Sequence, residues 1–147
     1  MAKYGSDQVN IKFTTASATS LTLHDLGQYI DTFNGVKIEA LTQEGHGFGD
    51  SWVEHLYTGI RRMDPVTVAG FYDNIAASGP NVMFGNASDI GSERRCEVNF
   101  AGTASNILQF AGLVMSYSRL PTRSELTRFE LVFQPSGAVN TATNLVV

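Results

Sequence analysis

Charge is what this sequence has least of. Asp, Glu, Lys and Arg make up 16% of its residues, where about 25% is usual in soluble domains. A surface laced mainly with ion pairs is therefore excluded. What covers the surface instead is either uncharged polar residues, since Ser, Thr, Asn and Gln are abundant, or partner subunits. Within this small complement, 14 acids outnumber 10 bases, giving a net charge of -4 and a pI of about 5.2. That excludes a high-affinity nucleic-acid binder, which needs a basic patch. A surface past which DNA must slide without sticking would be neutral or acidic for the same reason. Cysteine occurs once, at Cys96. An intrachain disulfide and a cysteine-rich metal site are both excluded, and a reducing compartment fits. Apolar runs never approach 18 residues, which excludes a transmembrane helix. The opening MAKYGSDQVN lacks the apolar run of a secretory signal.

Catalytic signatures are equally scarce. There is no G-x-S-x-G, no H-E-x-x-H and no phosphate loop with its Lys. Gly45-His46-Gly47-Phe48-Gly49 is glycine-rich but lacks that Lys, and reads as backbone freedom. Glu44, His46, Asp50, Glu54 and His55 lie close in sequence. A metal site needs three or four converging ligands, and the H-x8-H spacing matches no familiar ligand pattern. These side chains read as solvated, with no metal, no cofactor and no catalytic residue expected. Arg61-Arg62 and Arg94-Arg95 are the basic pairs, and the acids Asp64, Glu93 and Glu97 beside them favour structural pairing over contact with nucleic acid.

What is present is alternation. At 147 residues the chain reads as one domain, long enough to bury roughly 68–70% of its unfolded surface. Residues 1–8 read as an N-terminal arm and 138–147 as a C-terminal arm. Val9, Ile11 and Phe13 alternate with polar residues, the period of a half-buried strand. Thr14 to Ser20 is a Ser/Thr/Ala loop. Leu21 and Leu23 favour a short strand, and Leu26, Tyr29, Ile30 and Phe33 then fall at helical spacing, so a helical turn or two is expected there. Val36, Ile38 and Ala40 mark another strand. Val66, Val68 and Gly70 share a face in the next, and Cys96, Val98 and Phe100 in the one after. Gly79-Pro80 opens a candidate short helix through Phe84. From Ile107 to Leu120 the chain is apolar on both faces, with Leu113, Met115 and Tyr117 on one and Phe110, Gly112 and Val114 on the other. Phe129, Leu131 and Phe133 then point inward between outward Arg128, Glu130 and Gln134. The expected class is mainly β, antiparallel, a sandwich or curled sheet.

Residues 42–63 break this pattern. They show no strand period and carry Gly at 45, 47, 49 and 59. A structureless loop of this length is unusual in a compact domain, and its aromatic and aliphatic residues make it too apolar for disorder. It reads as a long irregular assembly loop. Phe48, Trp52, Leu56, Tyr57, Ile60, Arg61 and Arg62 are its candidate contact residues, since Trp, Tyr and Arg are typical interface anchors. The alternative is a lid folded back on its own domain.

Gly49-Asp50-Ser51-Trp52-Val53-Glu54-His55-Leu56, followed by Thr58-Gly59-Ile60-Arg61-Arg62 and by Pro65-Val66-Thr67-Val68-Ala69-Gly70-Phe71-Tyr72-Asp73, resembles the tail tube (major tail) proteins of long-tailed, non-contractile bacteriophages. Gly79-Pro80, Leu126-Thr127-Arg128-Phe129 and the run from Phe133 to Val139 are similar to later parts of that family. The resemblance extends over residues 8 to 140. It implies a β-sandwich subunit with one short helix, whose inner sheet joins those of its neighbours into a β-barrel ring. It implies hexameric rings stacked into a hollow tube through which the genome is ejected. The loop 42–63 and the two arms would then bridge rings. Implied partners are the chain itself and the tail-tip initiator, tape-measure and tail-terminator proteins. DNA would pass only in non-specific transit, and the chain would not insert into a membrane. The location implied is the virion tail, after synthesis in the bacterial cytoplasm. A ring-forming head–tail joining or capsid-decorating protein is the alternative, and an enzyme is not expected.

Overall fold

The computed structural model describes residues 9–14, 23–73, 79–100, 107–121, 123 and 125–137. The two expected arms, 1–8 and 138–147, and the Ser/Thr/Ala loop beyond Thr14 lie outside the described residues. In chain order the elements are β1 (Asn10–Thr14), β2 (Leu23–Asp25), β3 (Ile30–Phe33), β4 (Ile38–Gly45), β5 (Glu54–Met63) and β6 (Val66–Phe71). The helix α1 (Pro80–Phe84), a 3-10 turn (Ala87–Asp89), β7 (Glu93–Asn99), β8 (Ile107–Leu120) and β9 (Arg128–Pro135) follow. Among the described residues, seven strands form one sheet in the order β2-β1-β7-β8-β9-β6-β3, and β4 pairs with β5 in a second, two-stranded sheet. Every pairing is antiparallel. The class is the mainly β, antiparallel one that alternation implies.

β8 holds the sheet together because both of its ends are used. Its first half pairs with β7, from Asn99↔Ile107 to Glu93↔Leu113. From Gly112 onward it pairs with β9, ending at Leu120↔Arg128. The two halves of the sheet are thus staggered along one strand, and twist folds one over the other. Phe13 of β1 consequently meets Phe133 of β9 edge to face, with ring centroids 5.4 Å apart. Phe13 also meets Phe84 of α1 at 5.3 Å, and Phe110 meets Phe133 at 5.9 Å. The two Phe13 pairs, both edge to face, add stabilisation beyond burial of area. Around them lie Ile11, Val66, Val68, Val98, Val114, Phe129 and Leu131, all buried.

Two local expectations are corrected. The stretch Leu23–Phe33 is not helical. It is strand, then a turn at residues 27–29, then strand. Leu26 is buried and its backbone N–H donates to the Ile11 carbonyl at 3.0 Å. The apolar spacing that looks helical is a tight corner carrying the chain from one end of the sheet to the other. The short helix is the one at Pro80, where Pro sits in the first turn and lacks only an N–H that has no partner there anyway. Tyr117 also changes face. A bulge between Val114 and Ser116 inserts Met115 as an extra residue. Beyond it the alternation is inverted, so Tyr117 turns inward and stacks on Phe129 at 5.9 Å while Met115 stays exposed.

Arg94 is fully buried, and its acid partner is Asp89 rather than the neighbouring Glu93 or Glu97. Its Nη2 donates to Asp89 Oδ1 at 3.0 Å and to the Met83 carbonyl at 2.8 Å. Its Nη1 donates to the Thr14 carbonyl and its Nε to Ser92 Oγ. The guanidinium lies 5.0 Å from the Phe84 ring centroid. Burial pulls its pKa down and the Asp89 carboxylate pushes it back up. One side chain thereby ties β1, α1, the 3-10 turn and β7 into one body. Cys96 is also buried, and burial raises its thiol pKa well above the usual value, Glu97 adding to the shift; it is an inert core residue.

Gly70 is set by close approach. A Cβ there would lie 1.8 Å from the Tyr29 carbonyl oxygen, the same oxygen that accepts from the Phe71 N–H at 2.7 Å. Gly70→Ala is expected to lower unfolding stability by at least about 1–3 kcal/mol, because the corner must move off β6. Arg94→Leu strands the Asp89 carboxylate and two carbonyls and is expected to cost about 3–5 kcal/mol. Urea unfolding midpoints measure both, and a midpoint equal to the parent's in either variant contradicts the packing described.

Candidate assembly interface

Residues 42–63 are not an irregular loop: they belong to a two-stranded β-arm. β4 and β5 pair from Ile38↔Met63 and Glu39↔Arg62 at the base to Gly45↔Glu54 near the tip. The eight residues of β4 span about 26 Å at ~3.3 Å each. The register slips once. Ala40↔Arg61 is followed by Thr42↔Tyr57, so residues 58–60 stand against Leu41 alone. Gly59 takes the extra length at φ +86°, a backbone state that suits glycine, and Thr58 Oγ1 donates to the Leu41 carbonyl at 2.9 Å. The strand period is absent from the sequence because neither face of the ribbon is buried within the subunit. Nothing inside the chain selects an apolar side from a polar one.

The arm's base is held by polar contacts. Lys37 Nζ lies 2.6 Å from Glu39 Oε1 and 3.7 Å from Asp64 Oδ2, and Arg62 donates to Glu39 Oε2 through Nε and Nη2 at 3.1 and 3.0 Å. Lys37 and then Arg62 hold the Glu39 carboxyl below its usual pKa. Asn34 links the base to β6, donating to the Pro65 carbonyl and accepting from the Thr67 N–H. Of residues 38–63, only Met63 is buried.

Each candidate contact residue lies on this arm. Phe48 is fully exposed and Trp52 is 84% exposed at the tip. Tyr57 and Arg61 share one face, the guanidinium 5.8 Å from the ring centroid. Leu56 lies on the other face, opposite Gln43, and Ile60 sits in the slipped segment, exposed. Arg62 differs from the rest because it is engaged by Glu39 at the base. Ile38 and Val53 are also exposed on the arm and were missed. Ile38 sits in a stretch whose alternation reads as ordinary half-buried strand, so no signal marked it. Of the histidines and acids near the tip, Glu44 lies opposite His55 and Gly45 opposite Glu54, while the Asp50 carboxylate accepts from the Gly47 N–H. Among the described residues no three His, Cys, Asp or Glu side chains converge as a metal site.

Concave places among the described residues include a cleft of about 310 Å³ at the arm's base, lined by Arg61, Arg62, Asp64, Pro65 and Pro135, and two on the body. A groove of about 340 Å³ runs between β1 and β3, lined by Val9, Ile11, Gly27, Ile30, Asp31 and Phe33. There the two ends of the sheet approach without pairing. Asp31 on its rim accepts from both Nη1 and Nη2 of Arg128, at 2.7 and 2.6 Å, and this pairing keeps the carboxyl below its usual pKa. A second cleft, of about 250 Å³, lies beside α1 and contains Phe84, Ile90, Tyr117 and Arg119.

No protein-family model and no curated protein sequence matches the chain. Solved structures do. A chain from the tail of an empty gene transfer agent particle, described with C6 symmetry, superposes with a TM-score of 0.71 at 17% identity, covering 95% of this chain and 98% of that one. A chain of the SPP1 tail tube superposes at 0.68 with 10% identity, over 92% of this chain and 77% of that one. A chain of the anti-feeding prophage baseplate, six-fold symmetrised, gives 0.69 at 8% identity, over 99% of both. What this chain shares with these tail and baseplate subunits, over nearly its whole length, is their fold.

Proposed function

We propose that the chain is the repeating structural subunit of a hollow phage tail tube, forming hexameric rings that stack into a conduit for genome ejection. The observation that carries this reading is the β-arm. Apolar side chains stand uncovered on both of its faces and at its tip, on a fold shared with chains from tails and a baseplate. A ribbon apolar on two sides needs a surface on each side, and neighbouring subunits supply them. An arm that docks on a different part of the next copy makes a head-to-tail contact. Such contacts repeat, closing into rings or continuing as filaments.

Magnitudes agree with assembly through many copies. Six large apolar side chains, Phe48, Trp52, Val53, Leu56, Tyr57 and Ile60, contribute on the order of 10 kcal/mol if buried, at about 1.5–3 kcal/mol each. One association costs about 4–15 kcal/mol in lost freedom. A single arm contact is thus near break-even, and repetition around a ring and along a tube makes assembly cooperative. The edge strands β2 and β3 have three and four residues, short edges that pair little outside the subunit until neighbours close over them. The acidic, charge-poor composition suits a wall past which DNA moves without adhering. The contact residues are Phe48, Trp52, Leu56, Tyr57, Ile60 and Arg61, with Arg62 setting the arm's base. The arms 1–8 and 138–147 would add contacts between rings. Tail-tip, tape-measure and terminator proteins would start, measure and end the tube, which places the chain in the virion tail. No catalytic step is assigned to it.

Negative-stain electron microscopy of the concentrated protein, with tail-tip complexes added if it stays monomeric, is expected to show hollow tubes with a regular axial repeat. Isolated rings that never stack would instead favour a joining or decorating protein. Deleting residues 45–58, none of them buried, is expected to leave the melting temperature of the body within a few degrees of the parent's and to abolish tubes. Tubes of normal length from the deletion would refute the arm's role.

A further inference from the structure

The arm's distal part is acidic as well as aromatic. Between residues 41 and 60 stand Glu44, Asp50 and Glu54, and no Lys or Arg. Asp50 is spent on the Gly47 N–H, whereas the carboxylates of Glu44 and Glu54 have no hydrogen-bond or ion-pair partner among the described residues. On the body the complementary feature is Arg119. Its Nε and Nη2 donate to Asn81 Oδ1 at 3.1 and 2.9 Å, Nη2 donates to the Gly85 carbonyl at 2.7 Å, and the group lies 5.4 Å from the Tyr117 ring centroid. All of these partners are neutral, so the cation has no counter-charge among the described residues. Gly85 makes the seat, since a Cβ there would come within 2.9 Å of Arg119 Nη2.

This guanidinium lines the 250 Å³ cleft together with Phe84, Gly85, Ala87, Ile90 and Tyr117. Ile90 and the adjacent Val82 are exposed. The Tyr117 hydroxyl is buried without a hydrogen-bond partner among the described residues, and burial pushes its pKa up to about 12. The cleft thus has aromatic and aliphatic walls and one uncompensated positive charge. It is the electrostatic and chemical complement of a tip that offers an indole and a free carboxylate two residues apart, at Trp52 and Glu54. The groove between β1 and β3 lacks this match, because the charges on its rim, Asp31 and Arg128, already pair with each other.

We propose that the cleft between α1 and β8 receives the arm tip of a second copy of this chain, Trp52 entering it and Glu54 pairing with Arg119. The docking rests on the tube reading above and names the surface on which the arm lands. Trp52→p-benzoylphenylalanine, irradiated in assembled protein and mapped by mass spectrometry, is expected to yield intermolecular adducts within residues 82–90 or 117–119. Adducts mapping elsewhere on the chain, in tubes that otherwise form, overturn the docking and leave the tube reading intact. A parent protein that never assembles, even on tail-tip complexes, overturns both. Charge reversal gives a second readout. Glu54→Arg, on an exposed arm, and Arg119→Glu are each expected to slow tube growth at least about tenfold, and the double reversal to restore it. Parent-rate growth of Glu54→Arg, with its fold checked by circular dichroism, would sink the pairing.

Discussion

The structure depends on β8 serving two partners at once. At 14 residues it far exceeds the strands at the sheet's edges, which have three and four. Its first half carries β7 and β1, and its second half carries β9 and β6. Twist then brings the two halves face to face, and the aromatic layer of Phe13, Phe84, Phe110 and Phe133 fills the space between them. Met115 is the residue on which this turns. As the extra residue of a bulge it inverts the alternation, letting Gly112 and Val114 before it and Tyr117 after it all face the core. Without the bulge Tyr117 would point to solvent and Ser116 and Ser118 would point at Phe129.

Body and arm follow opposite rules. In the body apolar side chains are buried, and even a guanidinium is buried with its hydrogen bonds satisfied. In the arm the apolar side chains are out and the ion pairs lie at the base. Burial within the subunit stabilises the first, and only burial between subunits would stabilise the second. Among the described residues, the buried core takes only Met63 from residues 38–63. The arm's base is charged: Lys37 bridges Glu39 and Asp64, and Arg62 pairs with Glu39. Exposed ion pairs of this kind add little stability.

The alternating apolar residues of β1, β6, β7 and β9 were legible in the sequence, and the structure buries the same residues on the same faces. The helix at Pro80 was legible because proline fixes its own backbone angle. These features come from interactions between near neighbours and from burial in one core, and both leave a period in the chain. The sequence also marked 42–63 as the place where ordinary folding logic stops, and located its exposed aromatic residues.

Only the tertiary structure decided the rest. It made the loop a paired ribbon, since hydrogen bonds between two strands exposed on both sides impose no pattern on side chains. It made Leu23–Phe33 a corner, because Gly70, 41 residues further along the chain than Tyr29, leaves room for the Tyr29 carbonyl. It turned Tyr117 inward through a bulge that no residue type announces. It gave Arg94 to Asp89 and Arg62 to Glu39, where proximity in sequence pointed to other acids. Local periodicity records what a residue does against its own core; register, bulges and charge partners are set by segments far apart in the chain, and become definite only when the sheet closes on itself.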